Sequence, residues 1–392
     1  MKKNVFPLIV LVMIASLLFG ACAAPTSGPA GPAGPAGPAG PTVTVTATAP
    51  APKPAATPEK VYEIDFQMGW PRAQYVVQEA LIPWAEKIEN ESGGRIKINF
   101  FDVGTVASSK AIFDVVKGGG VDAGIHWGNE AAQPMLKMTG MSMLLPCGYV
   151  AGNAALDIYE KFPAVRQELL GVKLIGIVAG SAQHYFSNKP IRTFEDMKGL
   201  TVMGFNKSWA DQTEAFGGIP YTMALTNWAA DYYTAAERGM VDTLHGSLSA
   251  AEAANWFEVT KYAIIIGLKA GVGWAIMSPA TYAGLPGDLQ EIWDRNSGLP
   301  FTEAMTRAMD DPDVDMAGYL KEQGMEVIVV TPENRKPFEE ASMTAWDVYI
   351  SRYEEKGVKI AREVFEEIVR SRDEQLSKGS PCPDFSKLTP KK

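Results

Sequence analysis

Residues 192–245, RTFEDMKGLTVMGFNKSWADQTEAFGGIPYTMALTNWAADYYTAAERGMVDTLH, decide the fold. Glu195-Asp196-Met197-Lys198-Gly199 is a polar turn, and the apolar run Leu200 to Met203 behind it suits a buried strand. A helix over Ser208 to Phe216 is closed by Gly217-Gly218, because glycine takes the left-handed conformation that ends helices. After Ile219-Pro220-Tyr221, the Asn227 side chain caps a second helix, Trp228 to Arg238, which stops at Gly239 before a strand from Val241 to Leu244. Short buried strands that feed tight turns beside helix ends are where an α/β domain holds a small ligand. The stretch is therefore the candidate site.

Working outward, 392 residues with 46% hydrophobic and 21% charged side chains suffice for two globular domains with real cores. The formal charge is -9, without clusters of Lys or Arg, which argues against a nucleic-acid partner. At the N-terminus, Lys2-Lys3, an apolar run from Val5 to Phe19 and Gly20-Ala21-Cys22 have the order of a secretory signal. Phe19-Gly20-Ala21-Cys22 resembles a bacterial lipobox with Phe19 at the usual Leu position, so residues 1–22 read as a lipoprotein signal ending in an acylated Cys22. Ordinary cleavage near Cys22 is the competing reading. Cys147 and Cys382 either pair or remain free buried thiols, and no Cys/His spacing suggests a metal or cofactor.

Residues 23–60, rich in Gly, Pro and Ala with GPA triplets, read as a disordered tether. The folded body opens with alternation over Val61 to Phe66, then a helix over Ala73 to Ser92, a strand over Arg95 to Phe101, a helix over Ser109 to Lys117 and a strand over Val121 to Trp127. Strand and helix alternating at these lengths predict a parallel-rich sheet. Leu174 to Ala179 is a further strand, and His184 to Asn188 reads as the loop after it. Methionines 135, 138, 141 and 143 read as packing under a crossover, and a long charged helix from about Pro332, interrupted near Gly357, reads as a terminal brace.

SGGRIKINFF, VDAGIHW, PIRTFEDMKGLTVMG and ERGMVDTLHG, in this order and spacing, resemble the dicarboxylate-receptor type of extracytoplasmic solute receptors of tripartite ATP-independent periplasmic (TRAP) transporters. The resemblance covers about Val61 to Arg370. It implies an α/β, two-lobed, periplasmic-binding-protein-like fold with a hinge and a long C-terminal helix. Residues 61–185 would form mainly lobe I, 186–280 mainly lobe II, 281–376 crossover elements and the bracing helix, and 377–392 a tail. It also implies a small-molecule solute and membrane permease subunits as partners, and the acylated Cys22 read from the lipobox would anchor the receptor at the membrane. In the family's turn-strand motif, G-L-K-I-R, the Arg pairs with a ligand carboxylate. Here Gly199-Leu200-Thr201-Val202-Met203 sets Met203 in that place.

The ligand is then an organic acid held by another cation, with Arg72, Lys207 and Arg192 as candidates, or a neutral or aromatic solute. Trp70, Trp127, Trp209 and Trp228 fall near strand ends or helix starts, where rings stack on planar ligands. His184, Tyr185, Asn206 and His245 complete the expected ligand-binding set with Arg72 and Met203, whereas Asn227 reads first as a cap. A third reading is a sensor or partner subunit, and ABC-type solute-binding lipoproteins, which share the two-lobed plan, are the alternative within the binding class. No GxSxG, HExxH or P-loop motif supports an enzyme.

Overall fold

The computed structural model describes residues 59–204, 207–223, 228–379 and 382–388, together with Gly31, Gly34 and Gly37. The chain divides into Met1–Thr57 and Pro58–Lys392. In the first unit the three described glycines are exposed and without regular structure. In the second, strands β1 (Tyr62–Gln67), β2 (Ile96–Phe101), β3 (Ala123–His126), β4 (Lys173–Ala182) and β5 (His184–Ser187) precede the stretch at 192–245. Strands β6 (Thr201–Gly204), β7 (Ile219–Thr222) and β8 (Thr243–Gly246) belong to it, and β9 (Tyr262–Ile265), β10 (Ala270–Met277) and β11 (Glu326–Val329) follow.

Two sheets result, one in the order β2-β1-β3-β10-β4 and one in the order β11-β9-β5-β8-β6-β7. β1 pairs in parallel with β2 and β3, as strand-helix-strand units require, and β10 enters antiparallel to both β3 and β4. Each sheet is covered on both faces, which the period of two makes visible. Val272, Trp274 and Ile276 of β10 enter one apolar cluster, and Ala275 and Met277 enter another. In the second sheet Val202 and Met203 separate in the same way.

The first helix runs over Val77–Leu81 and Ile82–Glu91, the former as a π-helical turn, and ends where Gly93 and Gly94 take positive φ. Its Trp84 packs edge-on against Phe66, Trp293 and Phe301. Two features differ from the expectation. β5 is a buried central strand rather than a loop, since the chain passes straight from one sheet into the other with no turn residue between. A helix over Gly148–Lys161 fills a segment whose Gly and Asn content obscures its period. Its glycines have a packing reason: a Cβ on Gly148 would meet the Gly180 carbonyl at 2.7 Å, and one on Gly152 would meet Thr306 at 2.6 Å. The Asp310 carboxylate accepts from the amides of Gly148 (3.0 Å) and Tyr149 (2.7 Å), which satisfies the start of that helix.

The chain passes between the sheets at Gln183, at residues 266–269 and, through helices, between β10 and β11, and the first two crossovers pair. The Gln183 amide donates to the Lys269 carbonyl (2.9 Å), and the Leu268 amide donates to the Gln183 carbonyl (2.7 Å). The helix Pro332–Glu355 lies beside them, stops before Gly357, where φ is 92°, and the chain resumes as Ala361–Ser377. Trp346 and Tyr349 donate to the carbonyls of Ser142 (2.8 Å) and Pro134 (3.0 Å), which clamp that helix to the methionine-rich segment. Met135, Met138, Met141 and Met143 are themselves buried.

Cys147 and Cys382, 235 residues apart in sequence, form a disulfide. Cys147 belongs to a cluster under the first sheet, while Phe385 and Leu388 just beyond Cys382 pack into a cluster under the second. The bond closes a loop of most of the folded body and so restricts the unfolded chain. Reduction, or Cys382→Ser, should lower the free energy of unfolding by about 2–5 kcal/mol. Urea titration with and without reductant checks this, and an unchanged midpoint would contradict it.

Candidate functional site

Lys269 sits at the end of the second crossover, immediately before β10, and its backbone is fixed by the pairing with Gln183. The segment before it is held from two sides. His184 Nδ1 accepts from the amides of Ile266 (3.2 Å) and Gly267 (3.1 Å). The Arg335 guanidinium donates to the carbonyls of the same residues, at 3.0 and 3.2 Å. Burial, with Arg335 nearby, holds His184 down at about 3, and the two amides it accepts require the neutral ring.

The Lys269 side chain enters a cavity of about 360 Å³ bounded by Trp127, Lys137, Gln183, Trp209 and Tyr349. Trp127 follows β3, Lys137 ends the short helix Pro134–Lys137, and Trp209 lies on the helix Lys207–Ala215 that follows β6. Elements of both sheets and the long helix therefore meet around this space. The Lys269 ammonium lies 3.7 Å from the Trp209 ring centroid, within the range of a cation–π contact. The His245 imidazole stacks on the same indole at 3.4 Å and 14°, and Tyr232 Oη lies 3.3 Å from His245 Nε2.

Lys269 is 8% exposed. Burial, then the charge of Lys137, pulls its amine down to about 7, and Glu130 partly opposes the shift. Lys137 is drawn to about 8 by burial, again with Glu130 opposing, and it donates to the carbonyls of Trp127 (3.1 Å) and Val272 (3.3 Å). His245 is held well below its ordinary value by burial and by Lys269. Glu130, the carboxylate at the cavity edge, is engaged by Arg352 at 3.8 Å and by the Tyr353 hydroxyl at 3.2 Å. Among the described residues no hydrogen-bond acceptor is found for the Lys269 ammonium. Two amines facing one cavity without a carboxylate of their own make an anion site in chemical terms.

Of the residues singled out from sequence, Trp127 and Trp209 line this cavity and His245 backs Trp209. Trp70 packs edge-on behind Trp127, with centroids 5.0 Å apart. Met203 is fully buried in a cluster with Phe186, Tyr232 and Leu244, and Tyr185 is fully buried with its hydroxyl 3.4 Å from Gln212 Nε2. His184 borders a different, smaller cavity of about 190 Å³ beneath Cys382 and Phe385. Arg72 is exposed and donates to the Phe100 carbonyl (3.1 Å), and Arg192 is exposed and ion-paired with Glu326. Asn188 donates to the Val259 carbonyl (3.0 Å). Asn206, Asn227, Cys22 and the side chains of Lys207 and Trp228 lie outside the described residues. No cluster able to hold a metal ion is found among the described residues.

The sequence reading missed Lys269, Lys137, Gln183 and Tyr349. A signal for the first existed: Lys269 is the one charge in AIIIGLKAGVGWAIM, residues 263–277, and a lone Lys in such a run is either costly or functional. Lys137 stands alike in QPMLKMTGM, residues 133–141.

The model of bacterial extracellular solute-binding protein, family 7, matches residues 66–352. The chain belongs to that family. An uncharacterized protein of Haemophilus influenzae is 22% identical to this receptor over 269 residues, 68% of this chain and 80% of its own. A TRAP solute-binding protein of Rhodoferax ferrireducens in complex with benzoate superposes with a TM-score of 0.71 at 17% identity, over 82% of this chain and 100% of that one. One from Bordetella bronchiseptica with bound (R)- and (S)-mandelate gives 0.66 at 22%, over 80% and 99%. The family-7 receptor thus has the α/β two-lobed fold with its long C-terminal helix and belongs among extracytoplasmic small-molecule binders. No helix among the described residues is long and apolar enough to cross a membrane.

The buried amine has a stability cost with a definite sign. The unfolded chain binds a proton at Lys269 up to about pH 10.4, whereas the folded chain releases it near 7, so stability rises with pH across that window. Lys269→Met should therefore stabilise the ligand-free receptor at pH 7 by about 1–4 kcal/mol and flatten this slope. Urea unfolding at pH 7 and 9 reads both effects, and a destabilised, equally sloped variant would contradict them.

Proposed function

We propose that this receptor binds a small organic acid in the cavity at the crossovers and delivers it to a TRAP-type membrane permease. The carrying observation is Lys269, a buried ammonium aimed into a cavity and lacking an anionic partner among the described residues. A carboxylate beside it completes a charge-assisted hydrogen bond, relieves repulsion between Lys269 and Lys137, and takes over the anion-holding role that Met203 cannot perform. The indoles of Trp127 and Trp209 favour a planar or apolar body on that acid, and benzoate and mandelate in the two similar structures are acids of this kind. Because the cavity is bounded by elements of both sheets, closing one lobe on the other about Gln183 and residues 266–269 would enclose the ligand. In this reading 61–185 and 186–280 supply most of the two lobes, and Cys22, acylated, holds the body to the membrane through the 23–60 tether.

Calorimetry with benzoate as the probe should show one site at pH 7. Lys269→Ala should weaken it roughly ten- to hundredfold, the worth of a charged hydrogen bond. Carboxylate binding requires the protonated amine, so affinity should fall as pH rises from about 7 to 9. If a panel of organic acids leaves tryptophan emission and melting temperature unchanged, the reading is wrong.

A further inference from the structure

A second cavity, of about 350 Å³, adjoins the lysine cavity. Glu130, Met141, Ser208 and Tyr349 border both. Beyond that shared wall the surfaces turn apolar, with Ala215 and Phe216 on one side and Ala341, Ala345, Trp346 and Val348 of the long helix on the other. The posts of the junction are fixed. The Tyr349 hydroxyl donates to the Pro134 carbonyl (3.0 Å), and Glu130 is drawn aside by Arg352 and Tyr353. Ser208 between them is a small exposed side chain, so the partition there is thin.

We propose that the two cavities form one elongated site for a monocarboxylate with a long apolar body, an arylalkanoate or medium-chain alkanoate whose head meets Lys269 and whose body passes Ser208 and Tyr349 into the second cavity. This rests on the organic-acid reading and extends it to the ligand's length and charge. Two observations select this occupant. The buried ammonium groups, Lys137 and Lys269, lie at one end, whereas Arg352 on the second cavity is paired with Glu130 (3.8 Å), and Asp211 and Glu130 disfavour a second carboxylate there. The far walls, Ala215, Phe216, Ala341, Ala345 and Val348, bury methylenes or a ring, and present no lysine.

The test is a calorimetric series on the purified receptor with benzoate, 3-phenylpropanoate, 5-phenylpentanoate, octanoate and octanedioate. Each added methylene should tighten binding roughly three- to fourfold, the value of its burial, until the second cavity is full. Octanedioate should bind at least roughly tenfold more weakly than octanoate, because its second carboxylate would be desolvated beside Asp211 and Glu130, with Arg352 already paired to Glu130. Ala345→Phe and Ala215→Phe, plugs from opposite walls, should each erase the gain from length while leaving benzoate within about twofold. Benzoate binding with no dependence on length, or plugs that weaken short and long acids alike, would overturn the elongated site and leave the organic-acid reading standing. Absence of binding by every acid would overturn both.

Discussion

Pairing between the two crossovers is the constraint on which the site depends. Gln183 and the 266–269 segment are two of the three places where the chain leaves one sheet for the other, and they pair through backbone hydrogen bonds. Buried backbone groups in a linker must find partners, and here His184 takes the amides and Arg335 serves the carbonyls of one short segment. That arrangement sets the Cα of Lys269 and so decides where a buried amine points. His184 is accordingly a positioning residue for the lysine, although it borders a separate cavity.

A lysine buried against an indole is costly, and its survival in an otherwise apolar run calls for a compensating interaction. The cation–π contact offsets part of the desolvation, and the stacked His245, kept neutral by burial and by the ammonium itself, adds ring contact without a competing charge. The remainder is left for an anion. Ligand binding and the electrostatic relief of the cavity are in this view one event, which ties affinity to proton uptake near neutral pH.

Family membership narrows the chemistry less than the cavity does. Relatives at 22% identity and structures at TM-scores of 0.66–0.71 establish the fold, while the sequence resemblance sets Met203 where the family's motif carries an Arg. In the proposed reading the cationic role falls to Lys269 at the crossover and to Lys137, while Met203 is packed into an apolar cluster. Such an assignment is possible because a carboxylate needs a donor at the right point in space and imposes no condition on which strand brings it.

Local patterns sufficed where the chain's neighbours in space are its neighbours in sequence. Alternation over β1 and β2, the glycine stops after Glu91 and Ala215, and the two helices within residues 192–245 were readable because turn chemistry and periodicity are short-range. β5 and the helix Gly148–Lys161 escaped because their patterns answer to distant partners: β5 is flat-buried between β8 and β9, and Gly148 and Gly152 are required by Gly180 and Thr306. Sequence alone determined the fold class, and it named Trp127 and Trp209, which line the cavity, among four tryptophan candidates. Only the tertiary structure decided which cations face one cavity, because Lys137 and Lys269, more than a hundred residues apart, become neighbours solely through the crossing of the chain between its sheets.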